Sequence, residues 1–67
     1  MNSQDTAKFG KQIKTAREKL GLTQEQVANK ADMTTNYYAM IERGEVNPSF
    51  EKLKSLAKVL KVKLTIS

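Results

Sequence analysis

The stretch TQEQVANKADMTTNYYAMIERG, Thr23 to Gly44, decides the fold. It opens with Thr23-Gln24-Glu25-Gln26, a T-x-x-Q capping box in which threonine oxygen and glutamine amide satisfy reciprocal backbone donors. Val27, Ala28 and Ala31 then fall at helical spacing, and after Asp32 and Met33 a second N-cap, Thr34, starts a helix that runs to a left-handed stop at Gly44. Two short helices at a steep angle touch beside their turn, so the first needs a small residue at the contact, and Ala28 supplies it. Tyr37 and Tyr38 are neighbours and so point about 100° apart on a helix. Only one can face the core. With Tyr38 and Ile41 inward, the wheel sets Asn36, Met40 and Arg43 on the opposite side, Thr35 and Ala39 nearer one flank, and Tyr37 on the other.

Outward from this pair, the periodicity predicts a helix from Asp5 or Thr6 with Phe9, Ile13, Ala16 and Leu20 on one stripe and the lysines Lys8, Lys11, Lys14 and Lys19 mostly away from it. Gly21 stops it. Downstream, Asn47-Pro48 keeps the chain extended or turned, and Ser49 caps a helix carrying Leu53, Leu56, Ala57 and Leu60 on one face with Lys52, Lys54 and Lys58 on the other. The three glycines and the single proline all read as punctuation. Beyond Lys61 the spacing changes to Val62, Leu64, Ile66 with Lys63, Thr65 and Ser67 between, the alternation of a strand.

A chain of 67 residues makes one domain, residues 1–67. A domain of that size buries only about 60% of the surface exposed when unfolded, so its stability is expected to be thin and an oligomer the expected support. With no cysteine and no histidine, the usual nucleophiles, general bases and zinc ligand sets are missing, and the expectation is no enzyme, no metal and no cofactor. The N-terminus lacks an apolar run of signal-peptide length and nothing approaches the roughly 20 apolar residues of a membrane span, so a cytoplasmic protein is expected, with no membrane partner. Twelve Lys+Arg against seven Asp+Glu, a formal charge of +5, fit a polyanionic partner, nucleic acid by default, or equally a lysine-rich surface that keeps a small domain soluble.

The residues Ile13 to Arg17, GLTQEQVANKA from Gly21 to Ala31, Ile41-Glu-Arg-Gly, Asn47-Pro48-Ser49 and Leu53 to Val62 resemble the Cro and phage-repressor type of helix-turn-helix protein, the XRE family. The resemblance spans Ile13 to Leu64. It implies an all-α, compact bundle of four to five short helices, lambda-repressor-like, with a helix-turn-helix unit at 24–43 and, from the residue pattern, a short C-terminal β-strand. Two departures stand out. Asp32 occupies the turn position where relatives usually have Gly, and Asp tolerates the left-handed conformation less readily than Gly. The chain also stops near Ser67, where many relatives continue into a fifth helix that packs or dimerises.

By position in the family, helix 35–43 is the recognition helix lying in the major groove, and Thr35, Asn36 and Met40 match the residues that read bases. Asn36 suits adenine, to which an amide donates and accepts at once; Thr35 donates, accepts or touches a thymine methyl; Met40 offers apolar contact only, or belongs to a partner surface. Gln24, opening its helix, is expected to hold a phosphate, or else simply to cap. Tyr37 resembles family tyrosines that pack on the sugar-phosphate strand, and Arg43 and Asn47 match further backbone contacts. Arg17 and Glu42 match a family ion pair that clamps the first helix to the end of the third.

The resemblance thus implies a sequence-specific regulator of transcription, a repressor in many relatives, bound to double-stranded DNA as a homodimer on a palindromic operator and nucleoid-associated. No small-molecule substrate is expected. The tail 61–67 either pairs with its copy in a second subunit or caps the core beside the last helix. The reading from a different class keeps the fold as a protein-interaction module of antitoxin or coactivator type.

Overall fold

The computed structural model describes residues 3–62, and these form four helices: α1 (Ser3–Lys19), α2 (Gln24–Lys30), α3 (Thr35–Glu42) and α4 (Phe50–Leu60). The chain is all-α, without a strand among the described residues. Of the expected tail strand, residues 63–67 lie outside the described part; Val62 is half-buried against the core.

The helix starts are those the capping residues dictate. Thr23 accepts from the Gln26 N–H at 3.1 Å while the Gln26 side chain accepts from the Thr23 N–H at 2.9 Å, completing the capping box. Thr34 accepts from the Tyr37 N–H at 3.1 Å, and Ser49 from the Lys52 N–H at 3.3 Å. Each such cap is worth about 1 kcal/mol.

All four helices stop in the same way. Gly21, Asp32, Gly44 and Lys61 each adopt positive φ, at 69°, 58°, 74° and 56°. The next residue then donates to a carbonyl five positions back: Leu22 to Arg17, Met33 to Ala28, Glu45 to Met40 and Val62 to Ala57, at 2.9 to 3.2 Å. Asp32 thus performs the left-handed turn between α2 and α3 without glycine.

The core is drawn from every helix: Phe9, Ile13 and Ala16; Val27, Ala28 and Ala31; Tyr38 and Ile41; Leu53, Leu56 and Leu60. Burying a side chain of the larger kinds contributes about 1.5 to 3 kcal/mol each. α3 packs on both α1 and α2, and α4 also packs against α1 and α2.

Three expectations need correction. Leu20 is not in the α1 stripe but 42% exposed, because the helix ends at Lys19 and the turn at Gly21 swings the chain so that Leu22 packs on the core instead. Ala39, placed nearer a flank, is buried; its methyl group is too short to reach past its neighbours. Gly10 is not punctuation at all. It lies in mid-α1, where a Cβ would overlap the Glu42 carbonyl oxygen and come within 2.6 Å of that of Ile41, so the glycine lets two backbones touch. Gly44 makes the reciprocal approach, since a Cβ there would sit 2.9 Å from Ala7 Cα.

Candidate nucleic-acid interface

The site begins with how α3 is held. Its inner side carries Tyr38 and Ile41, both buried, and its C-terminal turn is pressed against α1 at Gly10. There Glu42 gathers three donors. Arg17 Nε reaches Oε2 at 2.7 Å and its terminal nitrogen reaches Oε1 at 3.3 Å, a two-pronged link, while Gln24 Nε2 donates to Oε1 at 2.9 Å. Arg17 also donates to the Leu22 carbonyl at 3.0 Å. One carboxylate therefore ties α1, the start of α2 and the end of α3 together.

The electrostatics follow from that enclosure. The Glu42 side chain is 4% exposed and that of Arg17 14%. Burial pushes the Glu42 carboxyl upward as the largest single influence, but the hydrogen bonds from Arg17 and Gln24, together with the nearby Tyr38 hydroxyl, outweigh it and leave the group below its ordinary value. The Arg17 guanidinium is raised by its hydrogen bond to Glu42. Tyr38 is raised strongly, first by burial and then by Glu42, so its hydroxyl keeps its proton. That hydroxyl lies close enough to Glu42 and Arg17 to feel both charges, yet makes no hydrogen bond of good geometry.

The outer side of α3 is the reverse. Thr35 and Asn36 are exposed in the first turn and Met40 is half-exposed one turn on. Their one mutual contact is a long N–H···S bond of 3.8 Å from the Asn36 amide to the Met40 sulfur, which leaves Asn36 Oδ1 and its second amide hydrogen free to pair. Tyr37 lies on the flank, half-buried, with the Lys52 ammonium 5.6 Å from its ring centroid. The exposed polar groups at the N-terminal end of α3 thus stand on a helix whose other side is fully occupied, the geometry by which a helix enters a groove.

A helix-turn-helix family model matches residues 13–66 of this sequence. The chain belongs to that family, in its Cro and phage-repressor branch. It is 39% identical over 56 residues to the immunity repressor protein of Bacillus phage phi105, a match that takes in 84% of this chain and 39% of that protein's length. The chain therefore corresponds to about two fifths of that relative. It is also similar to the crystal structure of the restriction-modification controller protein C.AhdI from Aeromonas hydrophila, with a TM-score of 0.86 and 31% identity over 91% of this chain and 88% of that one. Membership of this helix-turn-helix family supports DNA binding by the chain.

The seven residues named from the sequence lie on three segments: Thr35, Asn36, Tyr37 and Met40 on α3, Gln24 at the start of α2, and Arg43 and Asn47 in the segment that follows α3. Three of them carry partners that sequence reasoning missed. Gln24 is held by Glu42, leaving its second amide hydrogen for another acceptor. Tyr37 is covered by Lys52, a residue expected on the solvent face of α4; its long aliphatic stem can lie along the fold while the ammonium reaches the ring. Arg43 is engaged by Glu45 through two bonds of 2.9 and 3.1 Å. The arginine-glycine-glutamate order was visible, but only the left-handed turn at Gly44 brings the two charges together.

Proposed function

We propose that this chain is a sequence-specific double-stranded DNA-binding transcriptional regulator, working in the cytoplasm at the nucleoid as a homodimer on a palindromic operator. In this reading α3 lies in the major groove, with Thr35, Asn36 and Met40 toward base edges and Gln24, Tyr37, Arg43 and Asn47 toward phosphates. The observation that carries it is the division of α3 into a filled inner side and an outer side whose polar groups are free. A single unit this small makes too few base contacts for tight specific binding, and two-fold pairing onto half-sites about 34 Å apart supplies the rest. Selection of bound duplexes from a random pool tests it: a palindromic sequence is expected, and equal binding of random and selected duplexes at moderate salt would reject it.

A protein-interaction role has one observation in its favour, the exposed apolar side chains of Phe50 and Leu20, of which Phe50 is 72% exposed. Salt separates the two roles. Phosphate contacts make affinity fall steeply as salt rises, whereas an apolar interface changes little.

A further inference from the structure

The pair Arg43–Glu45 has a geometry that neither the fold nor the ion-pair network of the core needs. Both side chains are about half exposed, at 53% and 50%, and they meet fork to fork just past α3, across the left-handed Gly44. A carboxylate held this way occupies the Nε–Nη2 edge of the guanidinium, one of the two edges that a phosphate diester would use. Each raises the other's charged form: the hydrogen bond to Glu45 lifts Arg43, and that to Arg43 lowers Glu45. The Arg17–Glu42 ion pair is enclosed and joins helices, whereas this one joins residues two apart and clamps no two helices together.

We infer that Glu45 is an internal stand-in for phosphate on Arg43, a residue that sets how strongly the protein binds DNA irrespective of sequence. This rests on the reading of Arg43 as a phosphate contact. Before Arg43 can grip the DNA backbone through its Nε–Nη2 edge it must leave Glu45, and whether released or still paired the carboxylate then lies beside a polyanion. Both effects subtract affinity from every duplex alike, because phosphates carry no base identity. Exposed pairs of this kind are individually weak, so the device tunes binding and does not abolish it.

The test is a double-mutant cycle on Glu45→Gln and Arg43→Gln, with affinities measured at several salt concentrations for a random-sequence duplex and for one selected from a random pool. Glu45→Gln is expected to tighten both duplexes by the same factor, about threefold at low salt, shrinking as salt rises. In the Arg43→Gln background the gain should largely vanish. A gain of equal size in both backgrounds would show only the general loss of a negative charge and overturn the inference. So would no gain, or a gain confined to one duplex. The reading beneath it fails differently: Arg43→Gln alone would then leave DNA affinity and its salt dependence unchanged.

Discussion

The two sides of α3 obey different rules, although they belong to the same eight residues. On the inner side Tyr38 and Ile41 are sealed, Gly10 brings the α1 backbone against the carbonyls of Ile41 and Glu42, and Glu42 takes hydrogen bonds from two other segments. On the outer side Thr35 and Asn36 are exposed and Met40 half-exposed, and the Asn36 side chain bonds only the Met40 sulfur. What the difference teaches is a division of labour. A polar group aimed at a base is useful only if its own protein leaves it unpaired, and an unpaired group is affordable only on a helix anchored from behind. Changes on the inner side should therefore act through stability, and changes on the outer side through recognition.

Gly10→Ala should have the largest effect. The added methyl would collide with backbone, which cannot swing aside as a side chain can, so α1 and α3 must part. Overpacking of this severity costs about 3 kcal/mol or more, against a total stability for small domains of roughly 5 kcal/mol. Circular dichroism during urea denaturation should show a midpoint shifted to less than about half that of wild type. A midpoint close to wild type would mean that the helices are not in backbone contact.

Glu42→Gln comes next. It leaves Arg17 enclosed without its counter-charge, at an expected cost of about 2 to 3 kcal/mol by denaturant titration. The same variant sharpens a pH prediction. Glu42 in the folded chain lies below the ordinary carboxyl value of 4.5, so the unfolded state binds its proton first as pH falls. Its stabilisation is full above that value and disappears as pH drops through the folded one. Wild type should therefore lose more stability than Glu42→Gln as pH falls below the ordinary carboxyl value of 4.5, and parallel acid profiles would contradict the network.

Asn36→Ala carries the comparison to the outer side. An exposed substitution there should leave the unfolding free energy within about 0.5 kcal/mol of wild type. On the proposed DNA reading, discrimination at one base pair should fall by about 1 to 3 kcal/mol. Competition of duplexes differing at single positions would detect it. Unchanged preference would move the recognition role elsewhere on the surface.

How far this division could be read beforehand depended on which interaction made it. Caps are local, and Thr23, Thr34 and Ser49 announced three helix starts through the residues beside them. Periodicity placed Tyr38, Ile41 and most of the core, since a helical wheel needs only spacing. The wheel could not place Leu20, where the helix had already ended, nor give Gly10 its meaning, because contact between two backbones leaves no apolar signature. The Arg17–Glu42 pair came from family resemblance; sequence distance alone hides a bond between residues 25 apart. Gln24 and Arg43 were named as phosphate contacts, but the carboxylates that hold them depend on how α3 sits against α2 and on the turn at Gly44.

Tyr38→Phe should change least, and it probes the one exception to the accounting of polar groups on the inner side. The Tyr38 hydroxyl is buried and protonated beside Glu42, but the carboxylate's two oxygens are already taken by Arg17 and Gln24 at good geometry. A hydroxyl removed from water without a well-made partner carries a desolvation cost, so deleting it relieves that cost while giving up whatever attraction it has to the carboxylate. The two nearly cancel, and the expected shift in unfolding free energy is under about 0.5 kcal/mol, of either sign. A loss above about 1.5 kcal/mol would be the signature of a hydrogen bond to a charged group. In that event Glu42 would hold four donors in place of three, and Gln24, the one nearest the proposed phosphate face, would be the most readily released to turn toward DNA.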